Sequence, residues 1–172
     1  PNTGYSFVNW TNGTDTDTDS GMAGFQAKSY TSDQTFIAHF SINSYSYTVN
    51  HIYLDRGGNI VGTDTKTGSG EYGSAIQYVT NLTTYGGESY IYSHDDGTGK
   101  VITTTVANNV VNVYYDIDTI GTGTDPEDPD GEPDKNQLIF NYVSAGHGSV
   151  GKTQEVVTKV NGAARPSGTT AT

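Results

Sequence analysis

The sequence predicts a mostly β protein built from small modules, and three observations carry that prediction. Thr numbers 26 and Tyr 13 among the 172 residues, against three Leu, 5 Phe and one Trp. Thr, Tyr, Val and Ile suit a pleated, half-buried surface, and a chain this poor in Leu lacks the material for amphipathic helices. Apolar residues also recur with period two, and turn pairs rich in Gly, Asn and Asp separate the runs.

From the N-terminus, Gly4-Tyr5-Ser6-Phe7-Val8-Asn9-Trp10 reads as a strand closed by the turn Asn12-Gly13. Phe36, Ala38, Phe40 and Ile42 alternate with Ile37, His39 and Ser41, a second strand. Tyr45, Tyr47, Val49, His51 and Tyr53 form one face of a third, which ends at the turn Arg56-Gly57-Gly58-Asn59. Gly73 to Thr80 is the best place for a turn or two of helix. Turns at Gly86-Gly87 and Asp96-Gly97 precede the face Val111, Val113, Tyr115 and Ile117. Residues 119–134 hold three Pro and no apolar residue after Ile120, which reads as an extended acidic linker. The segments are therefore 1–43, 44–118, the linker 119–134, and 135–172, with Asn161-Gly162 as a last turn.

The two ends fit one another. Reading Gly168-Thr169-Thr170-Ala171-Thr172 into Pro1-Asn2-Thr3-Gly4-Tyr5 gives one unbroken phrase, a Thr/Gly-rich approach followed by a strand. We therefore expect 135–172 to be the front half of a module and 1–43 the back half of the same kind of module. The halves pair within one chain or with the next unit of a tandem array, and the chain reads as one piece of something longer. A head-to-tail contact that does not close propagates as a filament.

Composition narrows the function. The net charge is −11 with a pI near 4.4, and eight Lys and Arg face 19 Asp and Glu. No basic stripe is available to neutralise phosphates, so nucleic acid is not an expected partner. No apolar run approaches the ~20 residues of a membrane span. Cysteine is absent, so packing, a metal or another crosslink must hold the modules.

The residues resemble known families. Tyr47-Thr48-Val49-Asn50-His51-Ile52-Tyr53-Leu54-Asp55, then Gly58-Asn59, closing on Val111-Asn112-Val113-Tyr114-Tyr115-Asp116, resembles the mucin-binding-protein (MucBP-type) repeats. Gly4 to Trp10 with Phe36 to Phe40 resembles the second half of internalin-type B-repeats (Listeria–Bacteroides repeats). Phe140-Asn141-Tyr142-Val143 through Gly146-His147-Gly148-Ser149-Val150 resembles the first half. The resemblance implies small β-grasp-like modules in tandem, in extracellular proteins on the surface of Gram-positive bacteria. Such modules are non-enzymatic parts of stalks, fibres or adhesins. The alternative the resemblance carries is recognition of host mucin glycan, immunoglobulin or another host protein. Modules of this kind sometimes join a Lys to an Asn or Asp, and Lys28, Lys66, Lys100, Lys152 and Lys159 are the candidates, with no pair singled out.

Motifs with chemistry are few. Gly146-His147-Gly148-Ser149-Val150-Gly151-Lys152-Thr153 satisfies the phosphate-loop pattern, but β-branched residues follow where a helix must begin. Two acidic clusters carry the oxygen ligands that calcium prefers: Asp125, Glu127, Asp128, Asp130 and Asp134 in the linker, and Asp15, Asp17 and Asp19 near the N-terminus. The second begins like an EF-hand loop, yet its Gly21 comes one place late and Gln26 stands where the bidentate Glu belongs. His39, His51, His94 and His147 show no metal spacing, and His94-Asp95-Asp96 runs into a turn. No catalytic residue is assigned and no organic cofactor is expected. Trp10, Phe7, Phe36 and Phe40 are expected in the core, with an exposed subset of tyrosines free to bind ligand.

Overall fold

The computed structural model describes residues 1–81, 83–121 and 129–172, and the chain is mostly β. Three sheets form. Strands β1 (Tyr5–Asn12), β2 (Asp15–Asp17) and β3 (Ile37–Ile42) make an antiparallel sheet in the order β2-β1-β3. Strands β4 (Ser44–Leu54), β5 (Ile60–Glu71), β6 (Thr83–Tyr85), β7 (Glu88–Asp95) and β8 (Val110–Ile117) make a five-stranded sheet in the order β5-β4-β8-β7-β6. Strands β9 (Gln137–Asn141) and β10 (Gln154–Thr158) form an antiparallel pair.

The strands expected at 36–42, 45–53 and 111–117 are β3, β4 and β8. Period-two alternation predicts the buried face of β8: Val111, Val113 and Tyr115 are no more than 1% exposed. In β4, Val49, His51 and Tyr53 are buried together. Along β4 and β8 the partners advance in step. The Thr48 amide donates to the Asn109 carbonyl, the Asn50 side chain donates to that of Asn112, and the Tyr53 ring stacks on Tyr115. The two strands therefore run in the same direction at the centre of the sheet.

Two expectations fail. Residues 73–80 hold no helix; among the described residues the one α-helical turn is α1 (Ala23–Gln26). Gly73 sits at φ +80°, a left-handed conformation that breaks a right-handed helix, and Ala75 bridges instead to Val101. Phe40 is not core but 50% exposed, edge-on to Phe7 at 5.9 Å. Phe7, Trp10 and Phe36 are half-buried.

The chain divides into two compact units, one of residues 1–48, 67–76 and 99–110, the other of 49–66, 77–98 and 111–172. In the first, Phe25 is buried against Phe36, with ring centroids 5.1 Å apart. Asn109, fully buried, ties its chain together: its amide donates to the carbonyls of Ser46 and Thr103 and accepts from the Thr103 amide and hydroxyl. In the second, four rings form a column. Tyr85 stacks on Tyr53 at 4.5 Å, Tyr53 on Tyr115 at 5.6 Å, and Tyr115 on His51 at 5.6 Å. Gly62 makes room for it, because a Cβ there would stand 2.1 Å from the Tyr85 ring. Each aromatic contact of this kind adds about 0.5–1.5 kcal/mol beyond the area it buries.

Within the chain the two ends do not share a sheet. Strands β1 and β3 pair with one another in the first unit, and β9 and β10 pair in the second.

Candidate functional site

Of the acidic residues expected as calcium ligands, Asp17, Asp19, Asp130 and Asp134 accept from backbone amides. Asp17 accepts from the amides of Asp19 and Phe25, and the Asp19 amide above all holds its carboxyl below the usual range. Asp19 accepts from the Gly21 amide, and Asp15 pairs with Lys28 at 2.7 Å. Asp134, 4% exposed, accepts from the amides of Thr119 and Ile120 and from the Thr119 hydroxyl. Asp130 accepts from the Gln137 amide and caps Glu132. Asp125, Glu127 and Asp128 lie outside the described residues. Among the described residues no group of three or more His, Asp or Glu is placed to hold a metal ion. These hydrogen bonds give the acids a role as loop pins, and each carboxylate keeps lone pairs beyond those they occupy.

The phosphate-loop look-alike is a turn leading into β10 rather than into a helix. Its lysine is already engaged: Lys152 pairs with Glu155 and donates to the Ser167 hydroxyl. Glu155, 6% exposed, also accepts from the Tyr142 hydroxyl and from the Ser167 amide and hydroxyl. These partners, Lys152 first, draw its carboxyl down to about 2. The His94 set is likewise structural. The His94 ring stacks on Tyr114 at 4.5 Å, Asp95 accepts from Tyr78, Tyr92 and the Gly97 amide, and Asp96 caps Asn112.

Of the lysines considered for a crosslink, Lys28 and Lys152 are ion-paired, and Lys100 and Lys159 donate to the carbonyls of Val110 and Lys135. Lys135, which sequence reasoning passed over, meets buried Asp116 at 2.5 Å.

What remains is at the two ends. Residues 1–43 bury one apolar side chain, Phe25, and leave Tyr5, Val8, Ile37 and Phe40 between 42% and 53% exposed. An open groove of about 670 Å³ runs along Pro1, Asn2, Tyr5, Ala38, His39 and Phe40. From residue 135 onward the buried residues are Gln137 and Glu155, both polar. Leu138, Ile139, Val143 and Val160 are 37% to 82% exposed. The Thr/Gly tail is tied to residues 149–151 by a β-bridge: the Ser149 amide donates to the Thr172 carbonyl, the Thr172 amide to the Ser149 carbonyl, and the Gly151 amide to the Thr170 carbonyl. A cleft of about 440 Å³ lies beside it, lined in part by Val143, His147 and Ala171. Two apolar, under-packed sheets with open edges are thus the surfaces best suited to meet a partner.

No family model, curated protein or solved structure matches the chain. No helix among the described residues is long and apolar enough to cross a membrane.

Proposed function

We propose that this chain is a non-enzymatic repeat unit of an extracellular stalk, fibre or adhesin on a bacterial surface, built of β-grasp-like modules of the MucBP and B-repeat kinds. Copies meet head to tail, the 135–172 segment of one unit completing the 1–43 segment of the next. The observation that carries this reading is the distribution of the core. Among the described residues, ten of the eleven buried hydrophobic side chains fall from Val49 to Ile120, and the two end segments contribute only Phe25. A two-stranded pair such as β9 and β10 is marginal alone in water and gains stability by adding strands with a hydrophobic face. The central sheet, with β4 and β8 side by side, supplies the self-contained part of the unit.

The test is a covalent tandem of two units compared with a single copy. The tandem is expected to melt at a higher temperature, with slowed amide exchange in β9 and β10 of the first unit and β1 and β3 of the second. A tandem that melts like the single copy, with these amides exchanging as before, refutes head-to-tail completion.

A further inference from the structure

Most of the acidic and basic side chains described above are consumed by the chain's own turns. One pocket in the second compact unit departs from that pattern. It has a volume of about 280 Å³, and its lining includes His51 and Tyr53 of β4, Asp64 and Lys66 of β5, Asn81, and Tyr115 of β8. Tyr53, Tyr115 and His51 are 2%, 1% and 9% exposed, while Asp64 and Lys66 are exposed, so an aromatic base gives way to a charged rim.

The hydrogen bonds at the base fix what the pocket offers. The Tyr115 hydroxyl donates to the Val79 carbonyl, so its oxygen accepts at the 3.0 Å contact with His51 Nδ1. Nδ1 therefore carries the proton and Nε2 is left as an acceptor. Burial pushes the His51 pKa down, which keeps the ring neutral. Tyr53 donates to Asp64 Oδ2 at 3.2 Å. Among the described residues, Lys66 Nζ and the Asn81 side chain make no hydrogen bond or ion pair. Lys66 and Asp64 lie two residues apart on one strand, so they share a face of β5 and their charges cancel.

We propose that this pocket binds a single neutral sugar ring. A rim of one cation and one anion favours neither sign of net charge, and a ring of hydroxyls can accept from Lys66 and Asn81 and donate to Asp64 and His51. The volume falls below the range of pockets for drug-sized ligands, and it suits one ring. This assigns a site and a ligand class to a recognition role, and it does not depend on the stalk reading.

The test is an amide-resolved NMR titration of the single chain with glucose, galactose, N-acetylglucosamine and N-acetylgalactosamine, with acetate, phosphate and glycine as controls. At least one sugar is expected to give saturable shifts at residues 51, 53, 64, 66, 81 and 115, with an affinity on the order of millimolar. Asp64→Asn and Lys66→Met, at exposed positions, are each expected to weaken it by about tenfold or more while the rest of the spectrum is retained. The proposal is overturned if no sugar moves these amides, if sugars bind both variants as tightly as the parent, or if only the charged controls bind.

Discussion

The ring column on β4 and β8 and the β9–β10 pair belong to the same compact unit, yet they are held by different physics. The first is held by burial: Val111, Val113 and Tyr115 are closed off from water, and Tyr115 stacks in a column with Tyr53, Tyr85 and His51. The second has no buried apolar side chain and is held by polar bonds: its strand ladder, the Gln137–Asp130 contact, and buried Glu155, which gathers Lys152, Tyr142 and Ser167. Burial is non-directional and adds up with area, so the first region is complete in itself. Hydrogen bonds fix a geometry without supplying much apolar burial, so the second is ordered but open to further packing.

The largest effect expected from this contrast is at Tyr115. Tyr115→Ala removes a ring that is 1% exposed and touches Tyr53, Tyr92 and His51. The expected loss is about 3–5 kcal/mol in a denaturant titration, with the whole sheet affected. A loss of under about 1 kcal/mol would mean the column is not the core.

Next comes Glu155. Its carboxyl lies at about 2, well below its ordinary value, because Lys152, Ser167 and Tyr142 favour the charged form. A depressed carboxylate contributes stability that is present above its ordinary value of 4.5 and lost as pH falls toward 2. Amide exchange in residues 152–170 should therefore quicken in acid before that of β4 and β8 does. Glu155→Gln should bring the same quickening at neutral pH. Uniform protection across both regions in the variant would place the two on one cooperative footing.

Asp118 has the opposite sign. It is fully buried and accepts from the amides of Gly131 and Asp130, yet burial raises its pKa above the ordinary 3.8. A raised pKa means the native state holds the proton more tightly, so stability grows as pH falls through the folded value and the gain is complete below the ordinary one. Asp118→Asn should remove that gain and flatten the pH profile on the acidic side of neutrality. An unchanged profile in the variant would show that another group carries the slope.

Sequence patterning reached the first region and missed the second for the same reason. Alternation of Val111, Val113 and Tyr115 reports a face that must avoid water, and the buried face of β8 could be read directly. A carboxylate that pins a loop leaves no periodic trace. Residue type marks Asp134 as an oxygen donor, but its bonds to the Thr119 and Ile120 amides follow from the fold and leave no pattern in the sequence. Glu155 was invisible among β-branched neighbours, and only the Lys three residues before it signals a partner. Residue type points Phe40 to the core, but a face with period two is buried only where something covers it, and among the described residues Phe40 stays half exposed. The pocket at His51 lay hidden because its members come from β4, β5, β8 and the loop at Asn81, which only pairing brings together.

The smallest effect separates a sheet that is finished from one that awaits a neighbour. Val143 is 82% exposed, so in a single copy Val143→Ser removes almost no burial and should change stability by less than about 0.5 kcal/mol. If 135–172 packs against the 1–43 segment of the next unit, the same substitution in the first copy of a two-unit tandem removes a side chain from a covered face. The tandem's extra stability should then shrink, while the substitution in the second copy, whose 135–172 segment faces no successor, should leave it intact. Equal effects at both positions would mean that Val143 is surface in either setting, and that the open faces of this chain are covered by something other than its own kind.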